Sequence, residues 1–161
     1  MKSKFSEELE FAKRLALGAG LLILKNVHSN LDVKNKENNS PVTNADIAAD
    51  NYIIEKIKER FPNDGVLTEE SIDDNSRLKK DRVWIIDPID STNNFREYAL
   101  SNKSKKEFGF FGVQIGFSYK GKAVVGAVYN PPTKELYYAE IGEGAYKEID
   151  NKKIKIEVDK K

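Results

Sequence analysis

Two aspartates that lie three residues apart, Asp87 and Asp90, are the side chains of this sequence best placed to do chemistry. They follow the apolar run 83–86, whose β-branched and aromatic residues predict a buried strand. Because Pro88 cannot donate a hydrogen bond to a neighbouring strand, we expect the strand to end there. The Ser-Thr pair at 91–92 favours the start of a helix directly afterwards.

Two carboxylates at a strand end, next to a helix start, suit a hard cation and a phosphate together. Oxygen ligands hold Mg²⁺, and the free N–H groups and dipole of the helix attract the anion. An isolated Asp-Pro-x-Asp sequence is equally typical of an ordinary turn, in which one aspartate caps a helix and the other is solvated. The rest of the chain decides between these interpretations.

Composition narrows the kinds of metal and partner. The 161 residues carry a net charge of +1, so no overall field draws the chain to nucleic acid or to a membrane. There is no cysteine and a single histidine, His28, so we expect any metal to bind through oxygen, which favours Mg²⁺, with Mn²⁺ or Ca²⁺ as alternatives. The apolar run 15–24 is too short to span a bilayer, and we interpret it as a core helix of a cytoplasmic protein.

Two predicted helices would support the site. Apolar residues at spacings of three and four predict a helix over 6–25, with Ser6 as its N-cap. Its wide apolar surface predicts cover on more than one side, and core packing explains this better than a dimer contact, although a homodimer stays open. Thr43 and Asp46 have the spacing of a capping box at the start of a helix that reaches Phe61. Capping alone would explain Asp46.

A short strand at 66–68 leads into Glu69 and Glu70. Such a pair is usually found on a surface, but here it precedes a second acidic strand end. The charged stretch 72–82 and the lysine-rich stretch 95–107 predict exposed loops. Alternating patterns predict further strands at 110–119, 123–129, 135–141, 145–148 and 154–158. We therefore expect a single α+β domain over 1–161, with two long helices on one face of a mixed, largely antiparallel sheet.

Three segments occur in the order and approximate spacing of the inositol monophosphatase family, which this chain resembles. They are the threonine-to-aspartate element at 43–46, the Glu-Glu pair at 69–70 and the Trp-Ile-Ile-Asp-Pro-Ile-Asp segment at 84–90. The family consists of Mg²⁺-dependent, lithium-sensitive phosphatases. The resemblance extends to about Lys153 and implies the N-terminal half of the family's αβαβα fold.

The resemblance also implies a role for each candidate residue. The metal ligands would be Glu69, Asp87, Asp90 and the backbone carbonyl of Ile89. The catalytic residues would be Asp46 and Thr92, which position the attacking water, and Glu70, which coordinates weakly or acts from behind the ligands. The residues that hold the phosphate would be Asp90, Ser91 and Thr92. A loop lysine near the phosphate would be Lys34 or Lys36, in a polar connection that includes a short hairpin around 31–34.

The chain departs from the family pattern in three places. Ser91 replaces a glycine, so its Cβ would crowd the phosphate or restrict a positive φ angle. Asn93 replaces a second threonine. The Trp-Asp element that completes the family's metal site has no counterpart after Lys153. We therefore expect either a piece of a longer protein or a naturally short homologue.

The leading hypothesis is a Mg²⁺-dependent hydrolase of phosphate monoesters, with Mn²⁺ as a second cofactor, that acts through metal-activated water. Its partner would be a small phosphorylated metabolite: inositol monophosphate, the substrate of a 3′(2′),5′-bisphosphate nucleotidase, or a sugar phosphate of the kind that fructose-1,6-bisphosphatase hydrolyses. The alternative is a truncated domain that binds metal, phosphate or another protein with weak turnover or none.

Overall fold

The computed structural model describes residues 3–27, 33–35, 41–101 and 110–158. Within these ranges the helices are α1 Ser6–Asn26, α2 Asn44–Arg60 and α3 Thr92–Leu100, with a 3₁₀ helix at Ser76–Lys79. The strands are β1 Val33–Asn35, β2 Pro41–Thr43, β3 Gly65–Thr68, β4 Arg82–Asp90, β5 Gly112–Tyr119, β6 Lys122–Asn130, β7 Glu135–Glu140, β8 Gly144–Ile149 and β9 Lys152–Ile156.

Strands β3 to β9 form a seven-stranded sheet whose spatial order is the order of the chain. Only the first pair, β3 and β4, is parallel, and the other described neighbours in this sheet are antiparallel. A parallel pair needs a crossover, which here consists of the polar stretch between β3 and β4. The carboxyl ends of β3 and β4 consequently meet at one edge of the sheet, where Glu69 and Asp87 lie.

Helices α1 and α2 pack against each other and against the sheet, as predicted. Alternate residues of β5 point into the core between the sheet and the two helices. They are Val113, Ile115 and Phe117, and all three are buried. Trp84 of β4 is fully buried and its ring packs against that of Phe117, with centroids 4.8 Å apart. The α+β fold with two long helices on a mixed sheet is therefore confirmed.

The start of α1 differs from the prediction. Phe5, and not Ser6, is the N-cap residue, and no side chain caps this end of the helix. The N–H of Phe5 instead donates to the buried carboxylate of Glu140 on β7 at 2.7 Å, and the Ser3 hydroxyl donates to the same group at 2.5 Å. The predicted cap was wrong: a carboxylate that is distant in the sequence, and not a side chain at position 6, binds this end of α1.

Strand β4 continues past Pro88, so the predicted strand end was wrong. Asp87 pairs with Gln114 and Asp90 pairs with Gly112, so three steps along β4 match two steps along β5. This extra residue is a β-bulge, which accommodates the missing hydrogen-bond donor of proline and turns the side chains that follow. Because of the bulge, Ile89 and Asp90 belong to β4 and do not form a separate turn after it.

Two predicted loops contain helical segments. The 3₁₀ helix lies within 72–82, and α3 replaces the first part of the predicted loop 95–107. Phe95 is the only buried residue of α3 among those described, and Tyr98 and Ala99 lie partly buried beside it, so the apolar pattern in the sequence is confined to one helical turn. The expectations for His28, Lys36, 31–32 and 102–107 lie outside the described residues, as does the side chain of Lys34.

None of the described helices is long and apolar enough to cross a membrane.

Candidate metal and phosphate site

Asp46 is fixed at the start of α2 by a capping box with Thr43, as predicted. The Thr43 hydroxyl accepts from the N–H of Asp46 at 3.3 Å, and the Thr43 N–H donates to Asp46 Oδ2 at 2.8 Å. The same hydroxyl donates to Oδ2 at 2.5 Å. Burial raises the pKa of Asp46, and its hydrogen bonds with Thr43 and Thr92 oppose that shift. Oδ2 is thus committed to the cap, whereas Oδ1 faces Thr92.

Thr92 joins this cap to the end of β4. Its hydroxyl lies 3.4 Å from Asp46 Oδ1 and 3.2 Å from the carbonyl oxygen of Ile89. A hydroxyl has one hydrogen to donate and two lone pairs that accept, so the two oxygens share one donor. The structure therefore brings together three predicted site residues from α2, β4 and α3.

Asp87 carries the most strongly perturbed carboxyl group of the site. Burial raises its pKa from 3.8 to about 7, and the charges of Glu69 and Asp90 together with a hydrogen bond to Glu69 push it the same way. Its Oδ1 atom is buried and has no hydrogen-bond partner within the described part of the chain. A buried carboxylate oxygen without a partner is costly, so this atom is suited to a ligand of positive charge.

Glu69 and Glu70 follow the last residue of β3. The N–H of Glu69 donates to the carbonyl of Ile86 at 3.3 Å, which extends the pairing with β4 by one residue. The N–H of Glu70 donates to the Thr68 hydroxyl at 3.4 Å. Glu69 is exposed and Glu70 is half-buried, so the charge of Glu69 acts on Asp87 from the open side of the site.

Ser91 connects Asp90 to α3 in a left-handed conformation, with φ 66° and ψ 53°. It is the N-cap residue, yet its side chain makes no capping hydrogen bond. The first N–H groups of α3 are therefore not satisfied by this cap, which is the arrangement that attracts an anion. Of the two consequences considered for the replacement of the family glycine, the structure shows the positive φ angle.

We expect Ser91→Gly to raise the free energy of unfolding by about 0.5–1 kcal/mol, because serine is strained in this region and glycine is not. Phosphate affinity at saturating Mg²⁺ should stay equal or improve, since the substitution removes a Cβ beside the helix start. Urea denaturation and phosphate titration measure the two effects. Lys134→Gly is the control, because Lys134 has a φ of 58° in the turn between β6 and β7. A clear loss of phosphate affinity in Ser91→Gly alone would assign the hydroxyl a binding role.

The oxygen donors fit a hard divalent cation by chemistry. Glu69, Asp87 and Asp90 are near enough for their charges to interact, and Asp87 offers an oxygen with no partner in the described structure. Among the residues that the structure describes, however, no group of three or more acidic or histidine side chains converges closely enough to hold a metal ion by itself. The carboxylate oxygens suit a divalent cation, and additional oxygen ligands are needed to complete its coordination.

Asp50, one helical turn after Asp46, was not predicted as a site residue. It is buried, with 3% of its surface exposed, and accepts hydrogen bonds from the hydroxyls of Thr68 and Ser71. The spacing of four residues from Asp46 was a usable signal, because such residues share a face of a helix. Its partners, Thr68 at the end of β3 and Ser71 just beyond it, gave no signal in the sequence.

The comparisons with known proteins agree with this architecture. The sequence model of the inositol monophosphatase family matches residues 4–161. The chain is 34% identical over 145 residues to the inositol-1-monophosphatase of Bacillus subtilis, covering 89% of this chain and 51% of that protein. It is 37% identical over 139 residues to the Nus factor SuhB of Escherichia coli, covering 85% and 48% respectively.

A solved structure, the IMPase of Thermotoga maritima, superposes with a TM-score of 0.73 at 32% identity, over 88% of this chain and 51% of that one. The chain thus spans about half the length of the relatives that it matches. Since the family's sequence model covers almost every residue and the fold agrees, the chain belongs to the inositol monophosphatase family.

Proposed function

We propose that this chain provides the cation and phosphate site of a phosphate monoester hydrolase that uses metal-activated water. The observation that carries the proposal is the buried, unpartnered Oδ1 atom of Asp87 at the carboxyl end of β4. Glu69 and Asp90 flank it, and the start of α3 lies directly beyond. Negative charge therefore lies next to a helix start whose N–H groups the Ser91 side chain does not cap, which suits a cation and a phosphate bound together.

The proposed cation ligands are Glu69, Asp87, Asp90 and the carbonyl of Ile89, with Glu70 contributing weakly or from behind. Mg²⁺ is the proposed cofactor and Mn²⁺ a substitute, because both prefer oxygen. When bound, such an ion would lower the pKa of water and offset charge on the phosphate oxygens. The remaining steps depend on side chains of this chain.

Asp46 and Thr92 are proposed to orient the attacking water. Because Asp46 Oδ2 is held by Thr43, its Oδ1 atom stays directed at the Thr92 hydroxyl. If Thr92 donates its hydrogen to Asp46, the lone pairs of the hydroxyl are left to accept from a water molecule. The pair would thereby fix the direction from which water approaches the phosphorus atom.

The phosphate is proposed to lie at the start of α3, against Asp90, Ser91 and Thr92. The N–H groups of the first turn and the positive end of the helix dipole would hold its oxygens. A small phosphorylated metabolite is the proposed substrate, with inositol, nucleotide and sugar phosphates still as alternatives. A homodimer stays a prediction.

The direct experiment measures release of inorganic phosphate from a small aryl phosphate, with and without Mg²⁺. We expect slow release that needs Mg²⁺, is lost in Asp90→Asn and is kept in Asp81→Asn. Asp81 is an exposed aspartate just before the other end of β4, so it controls for the change in charge. Turnover without metal that survives Asp90→Asn would contradict the mechanism.

A second candidate function is binding of metal and phosphate without turnover. The open carboxylate cluster favours it, since the described residues do not close a cation site by themselves. The similarity to a protein named as a Nus factor also makes an interaction role a proposal for this chain. Saturable binding of Mg²⁺ and phosphate, with no phosphate release from any of the three substrate classes, would favour this function over hydrolysis.

A further inference from the structure

Asp50 is a buried carboxylate that the proposed reaction does not use directly. It lies on α2 with 3% of its surface exposed, and its two oxygens accept from different hydroxyls. Thr68 Oγ1 donates to Oδ1, and Ser71 Oγ donates to Oδ2 at 2.9 Å. Both partners come from the segment that leaves β3, so one side chain of α2 holds that segment at two points.

The two hydroxyls flank the acidic pair on either side. Thr68 directly precedes Glu69, and Ser71 directly follows Glu70. The Thr68 hydroxyl also accepts from the N–H of Glu70 at 3.4 Å, so a chain of hydrogen bonds runs from Asp50 to the backbone of the pair. The N–H of Glu69 donates to Ile86 of β4. The segment that carries Glu69 and Glu70 is therefore held by α2 through Asp50 and by the sheet through β4.

Helix α2 thus links both halves of the site. Asp46 and Asp50 are four residues apart on it, which places them on one face about 6 Å apart. Asp46 meets Thr92, whereas Asp50 meets the turn that carries Glu69. A rigid helix therefore sets the distance between the proposed water-orienting pair and the proposed cation ligands.

Helix capping or core packing does not explain why residue 50 is an aspartate. A buried carboxylate close to Glu69 and Glu70 adds repulsion, and an apolar side chain would fill the same space at less electrostatic cost. The carboxylate instead provides two hydrogen-bond acceptors, one for Thr68 and one for Ser71, which lie on either side of the acidic pair.

We propose that Asp50 is a positioning residue that fixes Glu69 and Glu70 relative to Asp46 and so sets the affinity for the divalent cation. This inference rests on the proposed function.

The experiment is a Mg²⁺ titration by calorimetry, with Mn²⁺ as a second probe, on the chain and its variants. Asp50→Asn keeps the size of the side chain but loses one acceptor, and we expect its Mg²⁺ affinity to fall 10–100-fold, as for other residues that orient metal ligands. Circular dichroism and the melting temperature should remain close to those of wild type. Phosphate affinity should recover at saturating Mg²⁺, which a general loss of structure would not allow.

Thr68 offers a matched pair that tests the same link without touching α2. Thr68→Val removes the hydroxyl at equal volume and should reproduce the loss, whereas Thr68→Ser keeps the hydroxyl and should retain affinity. The double variant Asp50→Asn with Thr68→Val should lose little more than either single one. Asp73→Asn is the control, since Asp73 lies in the same connection and is paired with Arg77 instead.

The outcomes separate the two proposals. If wild type binds Mg²⁺ and neither Asp50→Asn nor Thr68→Val weakens binding, the positioning role is overturned and the proposed function stands. If wild type binds no Mg²⁺ at all, the proposed function fails and the role of Asp50 fails with it. If Asp50→Asn does not fold, equal affinities of Thr68→Val and Thr68→Ser would overturn the positioning role.

Discussion

In metal-free solution at pH 8, Asp87→Asn is expected to be more stable than wild type by about 2 kcal/mol, with little difference at pH 4. The pKa of Asp87 is raised to about 7, mainly by burial and then by the charges of Glu69 and Asp90. Between about pH 4 and 7 the folded protein therefore keeps a proton that the unfolded chain has lost. Since the folded state binds more protons there, its stability falls as the pH rises through this window. Asparagine has no group that titrates in this pH range, so the stability of the variant does not fall with it.

Addition of Mg²⁺ should reverse the ranking. A ligand that binds only the folded state stabilises it, so the melting temperature of wild type should rise with Mg²⁺ at pH 8. Asp87→Asn should show little response, because it lacks the proposed central ligand. Asp87 would thus destabilise the folded protein without Mg²⁺ and stabilise it when Mg²⁺ is bound.

Thermal unfolding with a chelator and with Mg²⁺, at pH 4 and pH 8, measures both effects. Asp81→Asn is the control for the loss of one negative charge, since this residue is exposed and lies before β4. If wild type and Asp87→Asn lose stability in parallel between pH 4 and pH 8, the raised pKa is contradicted. An equal response of both proteins to Mg²⁺ would contradict the ligand assignment.

Local patterns were sufficient where the structure depends on neighbouring residues. The capping box of Thr43 and Asp46 could be predicted because both its donors and acceptors lie within four residues. The strands β5 to β7 could be predicted because buried and more exposed residues largely alternate along them. The strands β8 and β9 have no buried residue, and the alternating residue types of the sequence indicated them. Their bounds differ from the predicted ones by only a few residues.

Prediction failed where a distant partner decides the outcome. The sequence places a stop at Pro88, but pairing with β5 carries β4 through a bulge to Asp90. Asp50 looks like an ordinary polar position of α2 until β3 brings Thr68 against it. Asp64 looks like part of the turn that ends α2, yet its carboxylate binds two side chains of β4.

This last carboxylate leads to the second large expected effect: Asp64→Ala should lower the free energy of unfolding by about 3 kcal/mol. Asp64 accepts from Arg82 Nε at 2.8 Å and from the indole N–H of the buried Trp84 at 3.0 Å. Removal of the carboxylate would leave the indole N–H without this acceptor and would take one of two carboxylates from Arg82. Glu8 of α1 would still accept from Arg82 at 2.8 Å, which limits the loss.

Trp84 is the only tryptophan of the chain, so its fluorescence during urea denaturation reports directly on this cluster. Asp64→Asn should lose less than Asp64→Ala, because the amide oxygen can still accept from one of the two donors. Asp73→Ala is the matched control. Asp73 also binds an arginine, Arg77 at 2.8 Å, but its carboxylate is more exposed than that of Asp64, and its removal should cost less than about 1 kcal/mol. Equal losses in Asp64→Ala and Asp73→Ala would mean that the acceptor for Trp84 contributes nothing. A larger loss in Asp64→Ala would show that the start of β4 is fixed through Asp64, at the opposite end of the strand from Asp87 and Asp90.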